Sequence, residues 1–160
     1  MTIRKAKEKD IPRLLDLLSQ VLEIHAQIRP DIFVSGTTKY NQTELQKLLE
    51  LEDYFIYVCA NELDNVIAYI FCELRKTRNL NFMVPAKTLF IEDFCVDEAC
   101  RGQHIGTTLF DFVKAEAKRL GCNDICLNVW ENNTLAKKFY DAMGFKPKSS
   151  QMEYILDKDN

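Results

Sequence analysis

The sequence predicts an α/β fold, on three observations. Runs rich in β-branched and aromatic residues alternate along the chain with segments whose apolar residues recur at helical spacing. No linker, internal repeat or low-complexity tract interrupts that alternation. At 160 residues, 47% hydrophobic and 28% charged, the chain suits one core and is composed like an ordinary soluble protein, so a single domain over 1–160 is expected.

The elements follow in order. A short strand over Thr2 to Ala6 precedes a helix capped by Asp10, with Pro12 in its first turn and Ile11, Leu14, Leu15, Leu18 and Leu22 along one side. Arg29 to Tyr40 holds Pro30 and Gly36, lacks periodicity and reads as a loop, before a short helix from about Thr43 to Leu51. Tyr54 to Ala60 and Val66 to Leu74 are strands joined by the hairpin chemistry of Asn61 to Asn65. Thr88 to Val96 is a central strand, on which strict alternation puts Phe90, Glu92, Phe94 and Val96 on one face and Leu89, Ile91, Asp93 and Cys95 on the other. A helix spans Gly106 to Leu120, with Gly121 as its stop. Asp124 to Trp130 is a strand, and Asn132 or Asn133 caps a helix that Gly144 ends. Phe145 to Lys148 and Met152 to Leu156 read as two closing strands.

Composition excludes several function classes. The longest apolar stretches are strand-sized and Met1 to Lys5 opens no signal-like segment, so neither a membrane partner nor secretion is expected, and the cytoplasm is the default. Six cysteines without C-x-x-C spacing read as buried free thiols. The two histidines, His25 and His104, have no Cys or carboxylate at ligand spacing, so no metal is expected. A net charge of −3 and a pI near 5.5 argue against a nucleic-acid partner.

Chemistry concentrates between Asp97 and Thr107, where a strand turns into a helix. Consecutive backbone amides at such a turn, with the positive end of the helix dipole behind them, form an anion site. The strand ends in Val96-Asp97, and after Glu98-Ala99-Cys100 comes Arg101-Gly102-Gln103-His104-Ile105-Gly106-Thr107. Downstream, Asn133-Thr134-Leu135-Ala136-Lys137-Lys138-Phe139-Tyr140 is followed by Gly144-Phe145. Together these resemble the two motifs of the GCN5-related N-acetyltransferases, in the family's order, over about residues 88 to 146. The stretch Leu89 to Phe94 is similar to the small-amine and polyamine acetyltransferases within it.

The resemblance implies the GNAT fold, a single mixed, mostly antiparallel sheet of about six to seven strands flanked by about four helices. It implies acetyl-coenzyme A as co-substrate, held by Phe94, Cys95 and Val96 on the strand, by Arg101, Gly102, Gln103, His104, Ile105, Gly106 and Thr107 at the turn, and by Asn133 and Ala136. His104 stands where the family most often has glycine; the expectation is a right-handed conformation there, because a Cβ resists the left-handed one.

The resemblance also puts the Tyr140 phenol within reach of the coenzyme sulfur, to protonate the departing thiolate. Glu92 is the residue that binds or deprotonates the amine. Cys95, with no histidine near it in sequence, is a structural thiol and not a nucleophile, which leaves direct attack by the amine. The expected acceptor is a small cationic amine of polyamine or aminosugar type, with Glu92, Asp93 and either Glu23 or Asp31 offering negative charge. The alternatives are acetylation of protein N-termini or lysines, and a non-catalytic acyl-coenzyme A binding module. Members of the family often form homodimers.

Overall fold

A computed structural model describes residues 1–156. The sheet has five strands, β1 (Thr2–Lys5), β2 (Tyr54–Ala60), β3 (Val66–Lys76), β4 (Lys87–Val96) and β5 (Asp124–Leu127), in the order β1-β2-β3-β4-β5. Every neighbouring pair is antiparallel except β4 and β5, which run parallel. The α-helices are α1 (Ile11–Ile28), α2 (Gln42–Glu50), α3 (Ile105–Arg119) and α4 (Thr134–Ala142).

Two cores follow from strand alternation, one on each face of the sheet. On one face Ile11, Leu14, Leu17 and Leu18 of α1 and Leu45 of α2 pack against Ile56, Val58, Tyr69 and Phe71. On the other, Ile105, Leu109, Phe110 and Val113 of α3 cover Tyr57, Ile70, Leu89 and Ile91. With both faces covered, β2 is buried along its whole length, and its run of apolar residues is that of a central strand. No helix among the described residues is long and apolar enough to cross a membrane.

The start of α1 differs from expectation. The Asp10 side chain makes no cap bond to the helix; it turns back, accepts from the Lys7 backbone N–H at 2.7 Å, and pairs with Arg4 at 2.7 Å. A carboxylate buried beside a guanidinium fork gains more from that pair than from one amide. True capping boxing occurs at α2, where Asn41 accepts from the Glu44 N–H at 2.9 Å and Glu44 accepts from the Asn41 N–H at 2.8 Å.

The closing strands do not form. Lys146 to Leu156 carries no regular secondary structure and joins no strand among the described residues, and β5 stops at Leu127 instead of reaching Trp130. Pro147 has no N–H to give a ladder. The segment is tied instead by side chains, Lys148 to Asp124 at 3.3 Å and Arg29 to Glu153 at 2.5 Å.

Candidate active site

The site is built on β4. From Thr88 to Ile91 this strand lies between β3 and β5; beyond Ile91 it keeps, among the described residues, only β3 as partner. Its outer edge is therefore open over Glu92 to Val96, leaving backbone N–H and C=O groups free for a ligand.

At that point β4 also carries a bulge. Cys72 faces Ile91 and Phe71 faces Asp93, so Glu92 has no opposite residue. The extra residue breaks the expected alternation. Leu89, Ile91, Phe94 and Val96 now share the α3 face, while Glu92 and Asp93, adjacent in sequence, both turn to the α1 face together with Cys95. Glu92 is thus not beside Phe94 and Val96.

The two carboxylates differ in surroundings. Glu92 accepts from the Tyr40 and Tyr54 hydroxyls, and the Lys39 ammonium lies 3.2 Å from its Oε1. Asp93 is the more enclosed, with a side chain 7% exposed, and accepts from the Tyr69 hydroxyl at 3.0 Å; Lys39 stands 3.9 Å from its Oδ2. Burial pushes the Asp93 carboxyl up to about 6, against the pull of Lys39 and the Tyr69 hydroxyl. Tyr140 lies on α4, near enough to feel the Asp93 charge. Burial first, and the Asp93 charge second, raise its phenol above the usual range, so its hydroxyl stays protonated at neutral pH. Its ring is fixed by edge contacts with Phe139 at 5.5 Å and Phe145 at 5.4 Å.

The turn into α3 forms the second part of the site. Asp97 accepts from the Ala99 N–H at 3.2 Å and pairs with Arg13, anchoring the loop. Gly102 has φ 77° and His104 has φ 59° and ψ 15°. His104 is therefore left-handed, against expectation, at a cost of about 1–2 kcal/mol for a residue with a Cβ. Histidine is among the residues that tolerate this region best. No acidic side chain occupies the first turn of α3, and His104 provides no side-chain cap, so among the described residues the amides from Gly102 to Thr107 donate to no protein acceptor.

Arg101, Gly102, Gln103 and His104 are exposed, Ile105 is buried as the anchor, and Gly106 and Thr107 are half-buried. Gly106 serves packing: a Cβ there would sit 3.3 Å from the Phe139 ring and 3.5 Å from Val96. The glycine lets α3 and α4 approach across Val96.

Other expected residues separate into side-chain and backbone roles. Phe94 packs edge-on to Phe139 at 5.5 Å, and the Val96 carbonyl accepts from Arg101 Nε at 3.3 Å. The Cys95 thiol points into the opposite core, donates to the Leu17 carbonyl at 3.6 Å and is pushed up to about 12 by burial, so only its backbone faces the open edge. The Asn133 oxygen caps α4 by accepting from the Ala136 N–H at 3.2 Å, which joins those two residues in one turn. Asp31 is paired with Arg29 at 2.6 Å, whereas Glu23 keeps its charge, accepting from the Ser35 hydroxyl and the Gly36 N–H at 2.7 and 2.6 Å.

Sequence reasoning missed Lys39, Tyr40, Tyr54 and Tyr69, and gave Asp93 only a diffuse role. Tyr54 and Tyr69 read as strand aromatics, and Lys39 and Tyr40 as loop residues. The one available signal was Glu92-Asp93, two carboxylates in an otherwise apolar central strand.

An open strand edge, amides without protein acceptors at a helix start, two carboxylates and a protonated phenol can bind a diphosphate-bearing acyl thioester, take a proton from an amine and give one to a thiolate. Residues 18–145 match the family model described as Acetyltransferase (GNAT) family. The chain is 30% identical over 121 residues to glucosamine 6-phosphate N-acetyltransferase 1 of Dictyostelium discoideum, covering 74% of this chain and 69% of that protein. It is 28% identical over 93 residues to the [ribosomal protein bS18]-alanine N-acetyltransferase of Haemophilus ducreyi, 58% of this chain and 57% of the relative. Among solved structures, a mutant of the BH1408 protein of Bacillus halodurans superposes with a TM-score of 0.94 at 33% identity, over 98% of this chain and 99% of that one.

Proposed function

The chain belongs to the GNAT acetyltransferase family and is an N-acetyltransferase, and from that premise we propose that it acetylates a primary amine on a small cationic acceptor of polyamine or aminosugar type, by direct attack. Enzymes of this family use acetyl-coenzyme A as co-substrate. The observation that carries the acceptor reading is the bulge that turns Glu92 and Asp93 to the same side of an open strand edge. Two adjacent carboxylates attract an ammonium and repel an anionic acceptor. The aminosugar class is supported by the Dictyostelium relative, and the polyamine class by the similarity of Leu89 to Phe94.

The residues present fit the coenzyme, because among the described residues the amides from Gly102 to Thr107 have no protein acceptors and stand at a helix start suited to a pyrophosphate. Acetyl-coenzyme A supplies an activated acyl group there. Glu92, already holding two phenol hydroxyls, is oriented to receive the acceptor ammonium. Asp93 takes the proton: an amine of pKa about 10.4 has no lone pair at neutral pH, and a carboxylate pushed up toward 6 is a stronger base than an ordinary aspartate. Free amides on the β4 edge stabilise the developing oxyanion. Tyr140 protonates the departing thiolate.

The test is release of free coenzyme A over a panel of polyamines, aminosugars, amino acids and peptides. Turnover of small polycations or aminosugars at least about tenfold above peptides supports the reading. Preference for a peptide amine would replace it; the Haemophilus relative is named as an alanine N-acetyltransferase of a ribosomal protein. Binding of acetyl-coenzyme A without turnover of any amine would leave a regulatory module.

A further inference from the structure

Lys39 stands in the place of the acceptor. It lies in the loop between α1 and α2, yet its ammonium reaches 3.2 Å from Glu92 Oε1 and 3.9 Å from Asp93 Oδ2. Those are the carboxylates to which the preceding reading assigns the acceptor amine. Among the described residues no other lysine or arginine pairs with either. Its side chain is 40% exposed, so the contact is not sealed, and the neighbouring Tyr40 ring, 5.6 Å from the ammonium, and the Tyr40–Glu92 bond hold this part of the loop against the sheet.

We propose that Lys39 is a site of self-acetylation, acting as an intramolecular acceptor when no small amine fills the site. The proposal rests on the function proposed above. In the step, Lys39 Nζ gives a proton to the Asp93 carboxylate and attacks the thioester carbonyl carbon. A C–N bond forms, the nitrogen loses its second proton to solvent, the C–S bond breaks, and the thiolate takes a proton from Tyr140, whose phenol regains one from solvent. The product is coenzyme A and a neutral amide on Lys39. The amide no longer pairs with Glu92, so modification leaves both carboxylates without their internal cation.

The experiment incubates the full chain with acetyl-coenzyme A alone and follows acetylation of each lysine by peptide mass mapping, with Lys47, exposed on α2, as internal reference. An intramolecular acceptor held at the site should react at least about tenfold faster than a lysine meeting the thioester from solution. Its rate per molecule should not depend on protein concentration, and excess free coenzyme A should suppress it. In Lys39→Arg the fast label should vanish. The idea is overturned if Lys39 reacts no faster than Lys47, or at a rate proportional to protein concentration. Coenzyme A release over the amine panel, measured on the same preparation, separates the two readings. Turnover of a small amine with slow Lys39 overturns self-acetylation alone; fast Lys39 without turnover of any amine upholds it and removes the small-amine reading; neither reaction removes both.

Discussion

At the residue scale the site holds a conflict between stability and chemistry in Asp93. Its carboxyl is raised from an ordinary value of 3.8 to about 6, so the folded state binds the proton more tightly than the unfolded chain does. The sign follows: stability from this group is greatest below pH about 4 and is lost as pH rises through about 6. At neutral pH the buried charge costs on the order of 2–3 kcal/mol, at about 1.4 kcal/mol per pK unit. Asp93→Asn keeps an oxygen to accept from Tyr69, so urea unfolding at pH 7 should find the variant more stable by roughly 1–3 kcal/mol, with the gain fading toward pH 4. Its turnover should fall by about 10²-fold or more, and in the wild type the acid limb of kcat/KM should lie near 6. Equal stability at pH 7 would show that Asp93 is not a costly buried charge, and full turnover that it is not the base. Tyr140→Phe deletes one hydroxyl and leaves the ring contacts with Phe139 and Phe145. Coenzyme affinity should survive while kcat drops about 10- to 10³-fold, the smaller figure applying if water substitutes as donor. Retention of full kcat would return Tyr140 to a packing role.

At the scale of elements, the turn into α3 and the bulge in β4 divide what could be read in advance from what could not. The left-handed His104, at φ 59°, should make His104→Gly stabilising by up to about 1 kcal/mol, the relieved strain being offset in part by the greater freedom of glycine in the unfolded chain. A β-branched Val there should destabilise by more than 1 kcal/mol on the same scale; thermal unfolding of the two variants checks the pair, and a more stable Val variant would refute the left-handed turn. The family motif located this turn, because its glycines, Arg101 and its place between strand and helix are local properties of sequence. Helices α1 and α3 were legible for the same reason, through the spacing of Leu14, Leu18 and Leu22 and of Leu109, Val113 and Ala117. The bulge at Glu92 was not legible. Strict period-two alternation has no term for an extra residue, and one extra residue reverses every later side chain. That is why Glu92 was expected beside Phe94 and why Asp93, Tyr54 and Tyr69 were not recognised as one cluster. Lys39 escaped for a different reason, since only tertiary folding brings the loop before α2 onto β4. The closing strands failed because a β-type sequence such as Met152 to Leu156 makes a strand only where a ladder partner exists.

At the scale of the molecule, coenzyme binding should couple the two halves of the site to global stability. The amides of the turn belong to α3, which packs on one face of the sheet, while β4 carries Glu92 and Asp93 toward the other face. A ligand spanning the turn and the open edge of β4 holds only the folded chain, so it stabilises by mass action: about 2.7 kcal/mol at a hundredfold excess over Kd. For a chain of 160 residues each kcal/mol moves Tm by roughly 2–4 °C, which predicts a rise of about 5–10 °C at saturating acetyl-coenzyme A. The rise should be smaller with dephospho-coenzyme A if its missing phosphate removes a charged contact. Gln103→Glu adds a negative charge to an exposed position of the loop without touching the core, and should weaken binding by about tenfold through repulsion of the coenzyme phosphates. Gly106→Glu is the poorer probe, because its side chain would start 3.3 Å from Phe139 and disturb the α3–α4 contact before reaching any phosphate. The expected pattern is an unchanged Tm of Gln103→Glu without ligand and a reduced shift with it. No shift of the wild-type protein at millimolar acetyl-coenzyme A would remove the coenzyme site from this turn. An equal shift in both proteins would keep the site and move the phosphates away from Gln103.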